Sequence, residues 1–136
     1  MNNKLDAIDF KILNLLQEDG RVTIKKISEA LKLSTTPIFE RIKKLEKGGY
    51  IKNYVTLLNN RKLGLKQVVF IQLTLKEHSR SYIEKFANEV KLFPEVLECY
   101  RITGNFDFLL KVLVTDIESY ENFILTKLSL LSNLGN

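Results

Sequence analysis

The spacing of the apolar residues changes near position 60, and this change most constrains how the chain can fold. Before it, apolar residues recur every three or four positions, as on helices that bury one face. From position 66 onward, short runs with strand-like alternation are separated by helical patterns. The polar stretch NNRKLGL (59–65) lies between the two regions and is typical of a linker. We therefore predict one domain at residues 1–58 and another at 66–136.

The first region contains three helical patterns. LDAIDFKILNLLQEDG (5–20) has Asp6 as a cap and Asp9 in the first turn, where negative charge suits the helix dipole. A shorter helix follows, and TTPIFERIKKLEKGG (35–49) forms the third. A short turn joins the last two helices, which predicts a helix-turn-helix unit. YIKNYVTLL (50–58) alternates loosely and predicts a short strand or small wing.

The outward side of the third helix carries the candidate DNA-binding residues. In a helix-turn-helix the second helix of the pair enters the major groove, where its first side chains meet base edges and later lysines reach phosphates. A solvated lysine face is the alternative. The candidates are Thr35, Thr36, Phe39, Glu40, Lys43, Lys44 and Lys47, with Arg41 on the flank.

The positive charge is concentrated in the first region. The chain has a net charge of +5. Residues 1–60 contain 11 Lys and Arg against 7 Asp and Glu, whereas the remainder contains 10 against 9. This asymmetry favours an anionic partner for the first domain.

The second region predicts the order β-α-β-β-α. We expect strands at 66–76, 95–103 and 106–115, with helices at 79–93 and 116–131. This is a ferredoxin-like split βαβ layout without its final strand, so the whole chain is of the α+β class. The first and third strands are apolar on both sides, and the second apolar face predicts self-association into a dimer.

The segment ITGNFDFLLKV (102–112) places a carboxylate between two strands. Gly104 suits a tight turn. Phe106 and Phe108 are two positions apart, so a strand would direct both to one face and Asp107 to the other. The residues leave two interpretations open: Asp107 satisfies backbone N–H groups in a plain turn, or it meets a ligand.

Few residues are available for catalysis or metal binding. The single Cys99 excludes an intrachain disulfide, and with one His78 the usual metal clusters and nucleophile–base pairs are almost unavailable. We expect a solvated His78, a buried Cys99, no cofactor and no enzymatic activity. The chain has no apolar run of about 18 residues and no signal-peptide core, which predicts a cytoplasmic protein.

Three segments together resemble the Lrp/AsnC, or feast/famine, transcription regulators: LDAIDFKILNLLQEDGR, LSTTPIFERIKKLEKGGYI and ITGNFDFLLKV. The resemblance implies a winged helix-turn-helix joined to an effector-binding domain. It further implies homodimers that assemble into higher oligomers, double-stranded DNA as a partner, and small effectors that are usually amino acids.

The resemblance also suggests an effector site at the glycine–aspartate loop. Gly104 would allow close backbone approach, while Asn105 and Asp107 would offer an amide and a carboxylate; Tyr100 and Thr103 would complete the pocket. Asn105 stands where the family often has an acidic residue, which leaves the effector chemistry open. The family normally continues beyond SNLGN with a further strand beside the first one.

We thus expect a sequence-specific DNA-binding transcription regulator that responds to an amino acid or a related small effector. Two alternatives remain at this point. One is an oligomeric small-molecule-binding module, and the other is an architectural DNA-binding protein without an effector response.

Overall fold

The structure, a computed structural model, describes residues 4–135. It divides into two compact units, of which the first ends at Leu57 and the second begins at Leu58. Each unit has a hydrophobic core of its own.

The first unit is built from three helices, α1 (Ala7–Glu18), α2 (Ile24–Leu31) and α3 (Thr35–Lys47). Each helix contacts the other two. Because apolar residues recur on one side of every helix, the three inner sides meet in a single core. Its buried members are Ile12, Ile27, Ile38, Ile42 and Leu45.

Helix α1 begins with a reciprocal cap. The N–H of Asp9 donates to Oδ1 of Asp6 over 2.9 Å, and the N–H of Asp6 donates to Oδ2 of Asp9 over 3.1 Å. This capping box satisfies two backbone donors at the helix start. It confirms the predicted role of Asp6.

The turn between α2 and α3 depends on one residue with left-handed backbone. Lys32 ends α2 with φ +53° and ψ +44°. The N–H of Leu33 then donates to the carbonyl of Ser28 over 3.1 Å, and the Ser28 hydroxyl donates to the carbonyl of Leu33. The chain is thus turned back within a few residues, and α3 begins at Thr35.

The strand predicted for residues 50–58 is wrong, because this segment is irregular in the structure. The N–H groups of Tyr50 and Ile51 both donate to the carbonyl of Leu45, over 3.0 and 3.2 Å. The segment therefore starts by closing the end of α3. No strand of the described residues pairs with it, and an extended segment without such a partner is not a β-strand.

The second unit has the predicted order β-α-β-β-α. Its elements are β1 (Gln67–Leu73), α4 (Arg80–Lys91), β2 (Val96–Arg101), β3 (Phe108–Val114) and α5 (Ile117–Thr126).

The three strands form an antiparallel sheet in the order β1-β3-β2, so β3 is central. Just past β1, the described C-terminal residues approach the β1 edge of the sheet. Lys76 N–H donates to the carbonyl of Asn133 over 3.0 Å, and Gly135 N–H donates to the carbonyl of Thr74 over 2.7 Å. Among residues 4–135, β1 itself pairs only with β3.

Both helices cover one face of this sheet. Phe86 and Val90 from α4 and Phe123 from α5 are buried against β3, whose Leu110 and Val112 are fully buried. Among the described residues of this unit, no helix covers the opposite face.

Helix α5 is shorter than the predicted 116–131. It ends at Thr126, and a 3-10 turn follows at Leu128–Leu130. The change of direction buries Leu128 in the core, and Lys127 Nζ lies 2.5 Å from Oε1 of Glu95. A continuing helix would place these side chains differently, so tertiary contacts end it early.

Candidate functional site

The outer side of α3 is the first candidate surface. The inner residues Ile38, Ile42 and Leu45 are buried, which leaves the polar residues of the helix on the opposite side. Seven of the eight predicted DNA-binding residues are exposed there: Thr35, Thr36, Phe39, Glu40, Lys43, Lys44 and Lys47.

The lysines of this surface keep their ammonium groups accessible. The side chain of Lys43 is 59% exposed, with Nζ 5.4 Å from the centroid of the Phe39 ring and 3.8 Å from Oε2 of Glu46. Both are weak surface interactions that a phosphate group can replace. Glu40, in the first half of the helix, offers an acceptor of the kind that pairs with a cytosine amino group.

Arg41, the eighth predicted residue, is placed differently. Its Nη1 donates to both carboxylate oxygens of Asp6, over 2.8 and 2.7 Å, and to Oδ1 of Asp9 over 2.8 Å. These bonds raise the pKa of the Arg41 guanidinium, the Asp6 bond most. The Arg41 hydrogen bond, followed by the Asp9 N–H, lowers the pKa of Asp6 below its ordinary value.

The second candidate site is the loop between β2 and β3. Gly104 has φ +106°, a left-handed conformation that favours glycine. The loop is closed by two backbone bonds: Ile102 N–H donates to the carbonyl of Asp107 over 3.0 Å, and Asp107 N–H donates to the carbonyl of Leu73 over 2.8 Å. Thr103, Gly104 and Asn105 between these bonds are exposed.

The carboxylate of Asp107 ties this loop to the segment after β1. Its Oδ2 accepts the N–H of Leu75 over 2.7 Å and lies 2.9 Å from Nε2 of His78. The Leu75 hydrogen bond, and after it the His78 contact, lowers the pKa of Asp107. Oδ2 of Asp107 thus satisfies a backbone N–H group, as the turn interpretation predicts, although that N–H belongs to the segment after β1 and not to the loop itself.

His78 is the member of this site that the sequence did not indicate. We expected a solvated side chain, and 57% of it is indeed exposed, but its ring meets Asp107. The two residues lie 29 positions apart. Nothing local to His78 points to that contact, which follows from the pairing of β1 with β3.

The other predicted effector residue lies on the open face of the sheet. The hydroxyl of Tyr100 donates to Oε2 of Glu98 over 2.6 Å. This hydrogen bond is the largest cause, and burial the second, of the raised pKa of Tyr100. The structure thus brings Thr103, Gly104, Asn105 and Asp107 into one loop, with Tyr100 on the strand that enters it.

The prediction that both phenylalanines anchor one face is half wrong. Phe108 begins β3 and is 3% exposed, but Phe106 lies before the strand and is 38% exposed. The alternation of faces holds only within a strand, so it does not extend to Phe106.

In the part of the chain that the structure describes, no group of three or more His, Cys, Asp or Glu residues could hold a metal ion. Cys99 is partly buried, and this burial raises the pKa of its thiol. No helix among the described residues is long and apolar enough to span a membrane.

Two sequence families match the chain. Residues 68–136 match the Lrp/AsnC ligand binding domain, and residues 5–52 match the winged helix-turn-helix DNA-binding family.

Individual relatives agree with these matches. The glutamate uptake regulatory protein of Zymomonas mobilis is 44% identical over 121 residues, which span 89% of this chain and 74% of that protein. The leucine-responsive regulatory protein of Escherichia coli is 39% identical over 120 residues, spanning 88% and 73%.

Solved structures are similar over nearly the whole chain. A transcriptional regulator of Neisseria meningitidis, in complex with L-Met, has a TM-score of 0.91 at 35% identity, and the match covers 98% of this chain and 86% of the other. An AsnC family transcriptional regulator of Agrobacterium tumefaciens has a TM-score of 0.90 at 36% identity, covering 97% and 86%.

The lowered pKa of Asp107 predicts an acid-sensitive contribution to stability. The ionised carboxylate stabilises the fold above the unfolded pKa of about 3.9, and this contribution is lost as pH falls through the lower folded pKa. We expect Asp107→Asn to lower the unfolding free energy near neutral pH by about 1 kcal/mol, the order of one charged hydrogen bond at a partly exposed site.

Urea unfolding of both proteins, followed by circular dichroism from neutral pH into the acid range, measures this difference. It should shrink as pH falls. Glu121→Gln, an exposed change on α5, serves as the control. A difference that stays constant down to the lowest pH would show that the Asp107 charge is not coupled to folding.

Proposed function

Because the chain belongs to the Lrp/AsnC family of DNA-binding transcription regulators, we propose that the exposed side of α3 makes its DNA contacts. The observation that carries this proposal is the separation of the helix into a buried apolar side and a side of exposed threonine, glutamate and lysine residues. In a helix-turn-helix that exposed side lies in the major groove.

The residues of this side divide by chemistry. Thr35, Thr36, Phe39 and Glu40 occupy the first half of α3, the part that meets base edges in this motif. The lysines at 43, 44 and 47 follow in the second half and contact phosphates, which fixes the helix on the duplex without reading sequence.

We also propose that the protein forms a dimer through the open face of its sheet. On this face Val68 is 48% exposed, Phe70 59% and Tyr100 49%. Across the strands, Leu113 lies beside Val68 and Leu109 beside Tyr100, while Phe70 lies opposite Lys111, whose Nζ is 3.9 Å from Oε1 of Glu98. The face is therefore mainly apolar with one ion pair on it. A second copy with the same face would cover it, and a two-fold dimer reads a pseudo-palindromic DNA site.

The loop at Gly104 is our candidate for the effector site. Gly104 and Asn105 leave the backbone accessible, and Asp107 supplies a negative charge for an ammonium group. Tyr100 and Thr103 lie on the strand side of the loop and would contact the remainder of the ligand. An amino acid fits this set, and a similar regulator binds L-Met.

The DNA contacts can be tested through their salt dependence. Removing one phosphate contact lowers the slope of log K against log salt by about one unit. We expect Lys43→Ala to do this and to weaken binding to all sequences alike, whereas Glu40→Ala should change sequence preference. Fluorescence anisotropy with duplex DNA at several salt concentrations measures both.

Lys85→Ala, on α4 of the second unit, is the matched control. It removes a lysine of similar exposure from a helix that we do not assign to DNA. Equal slopes for Lys43→Ala and the wild type would contradict the assignment of α3.

The effector proposal predicts a ligand-dependent melting temperature. A ligand at about 100 times its Kd adds about 2.7 kcal/mol to the stability of the folded state. In a thermal-shift screen of the common amino acids, at least one should raise the melting temperature of the wild type and have no effect on Asp107→Ala.

Asp19→Ala, in the first unit, should keep the response and so controls for a general effect of removing a carboxylate. If none of the amino acids shifts the wild type, the loop is a structural turn and this part of the proposal is wrong.

The dimer proposal predicts a change in solution mass. Phe70→Asp places a charge on the open face, and desolvating that charge at an interface would be strongly unfavourable. Light scattering should show monomers at concentrations where the wild type is a dimer or larger. Tyr82→Asp on α4, at a residue 41% exposed, should leave the mass unchanged. Equal masses for both variants would place the interface elsewhere.

A further inference from the structure

Among the predicted DNA-binding residues, Arg41 stands out because its charged group is held by two carboxylates from another helix. It makes three hydrogen bonds of 2.7–2.8 Å to Asp6 and Asp9, residues 35 and 32 positions earlier in the chain. Both carboxylates belong to the capping box that begins α1. The cluster therefore joins the start of α1 to the middle of α3.

Burial distinguishes this arginine from the lysines of the same helix. The Arg41 side chain is 28% exposed and that of Asp9 is 16% exposed, compared with 59% for Lys43. To reach a phosphate, the guanidinium would have to leave two carboxylates. Those carboxylates would then face each other, and the DNA, without a counter-charge, which opposes such a movement.

The position of Arg41 in α3 links its contacts with Asp6 and Asp9 to DNA recognition. Lys44 follows three residues later, on the same side of the helix as Arg41, and Glu40 precedes Arg41 directly in the sequence. The same residues line an open cavity of about 700 Å³ between the start of α1 and the outer side of α3. Fixing Arg41 to α1 therefore fixes the part of α3 that carries two proposed DNA contacts.

We propose that Arg41 is a positioning residue, which holds α3 in place by bridging Asp6 and Asp9, and that it does not contact DNA. The inference rests on the proposed role of α3. It departs from the sequence-based prediction that Arg41 is one of the DNA-binding residues. A positioning role and a phosphate contact predict opposite results for the acidic partner, and this makes them separable.

The experiment compares the full-length protein with Arg41→Gln, Arg41→Lys, Asp9→Asn and Lys44→Gln. The DNA probes are a duplex selected by the wild-type protein from a random library and a scrambled duplex of the same length and composition. Affinity for each is measured by anisotropy over a range of salt concentrations. Asparagine at position 9 keeps a side-chain oxygen for the N–H of Asp6 while it removes the charge that Arg41 uses.

A positioning role predicts that Arg41→Gln lowers the ratio of selected to scrambled affinity by about tenfold, the cost of one misplaced base contact, and leaves the salt slope unchanged. Asp9→Asn should lower the ratio in the same direction. The double variant Arg41→Gln/Asp9→Asn should lose little more than Arg41→Gln alone, since the two residues act through one contact. Lys44→Gln should lower the slope of log K against log salt by about one unit and leave the ratio of selected to scrambled affinity unchanged.

Arg41→Lys keeps the positive charge but not the guanidinium, whose Nη1 reaches both carboxylates at once. It should lower the ratio of selected to scrambled affinity as Arg41→Gln does. Its circular dichroism and unfolding midpoint should stay close to those of the wild type. This variant preserves the test if Arg41→Gln does not fold.

A fall in slope of about one unit for Arg41→Gln, together with tighter binding of both duplexes by Asp9→Asn, would overturn the proposal, because Arg41 would then be a phosphate contact restrained by Asp9. An unchanged ratio in Arg41→Gln and Arg41→Lys would also overturn it. If the slope of Lys44→Gln and of Lys43→Ala equals that of the wild type, α3 does not contact DNA, and the inference fails with the proposed function.

Discussion

The central strand β3 is the element on which the second unit depends. It is hydrogen-bonded on both sides, and none of its side chains is fully exposed. A strand placed in this way cannot shift by one residue, because the shift would move its buried side chains to the open face. Asp107 directly precedes the strand, and its own N–H donates to Leu73 at the end of β1. The geometry of the candidate effector loop is therefore set by the sheet.

The sequence predicts well those parts of this fold that depend on neighbours along the chain. The capping box of Asp6 and Asp9, the buried side of α3 and the alternation within β3 all arise from residues a few positions apart. Predictions failed where a contact distant in sequence decides the outcome. Within residues 4–135, segment 50–58 has no strand partner, and α5 ends where Leu128 enters the core.

The same division applies to the candidate sites. The exposed side of α3 follows from helical periodicity, so the exposure of its lysines could be predicted from spacing alone. The contact of His78 with Asp107 and that of Arg41 with Asp6 join residues 29 and 35 positions apart, and neither leaves a local pattern. The sequence could identify Arg41 as a cation on the right helix, but only the packing of α1 on α3 gives it partners.

The left-handed backbone of Lys32 lowers the stability of the turn between α2 and α3. A side chain with a Cβ in left-handed backbone is less stable by about 1 kcal/mol than in its preferred conformation, and lysine has no short side-chain group to offset this. Asparagine tolerates that conformation better. Position 32 is exposed and lies outside the proposed DNA-contacting residues of α3. It is therefore a place where protein engineering could make the first unit more resistant to heat without changing the proposed recognition residues.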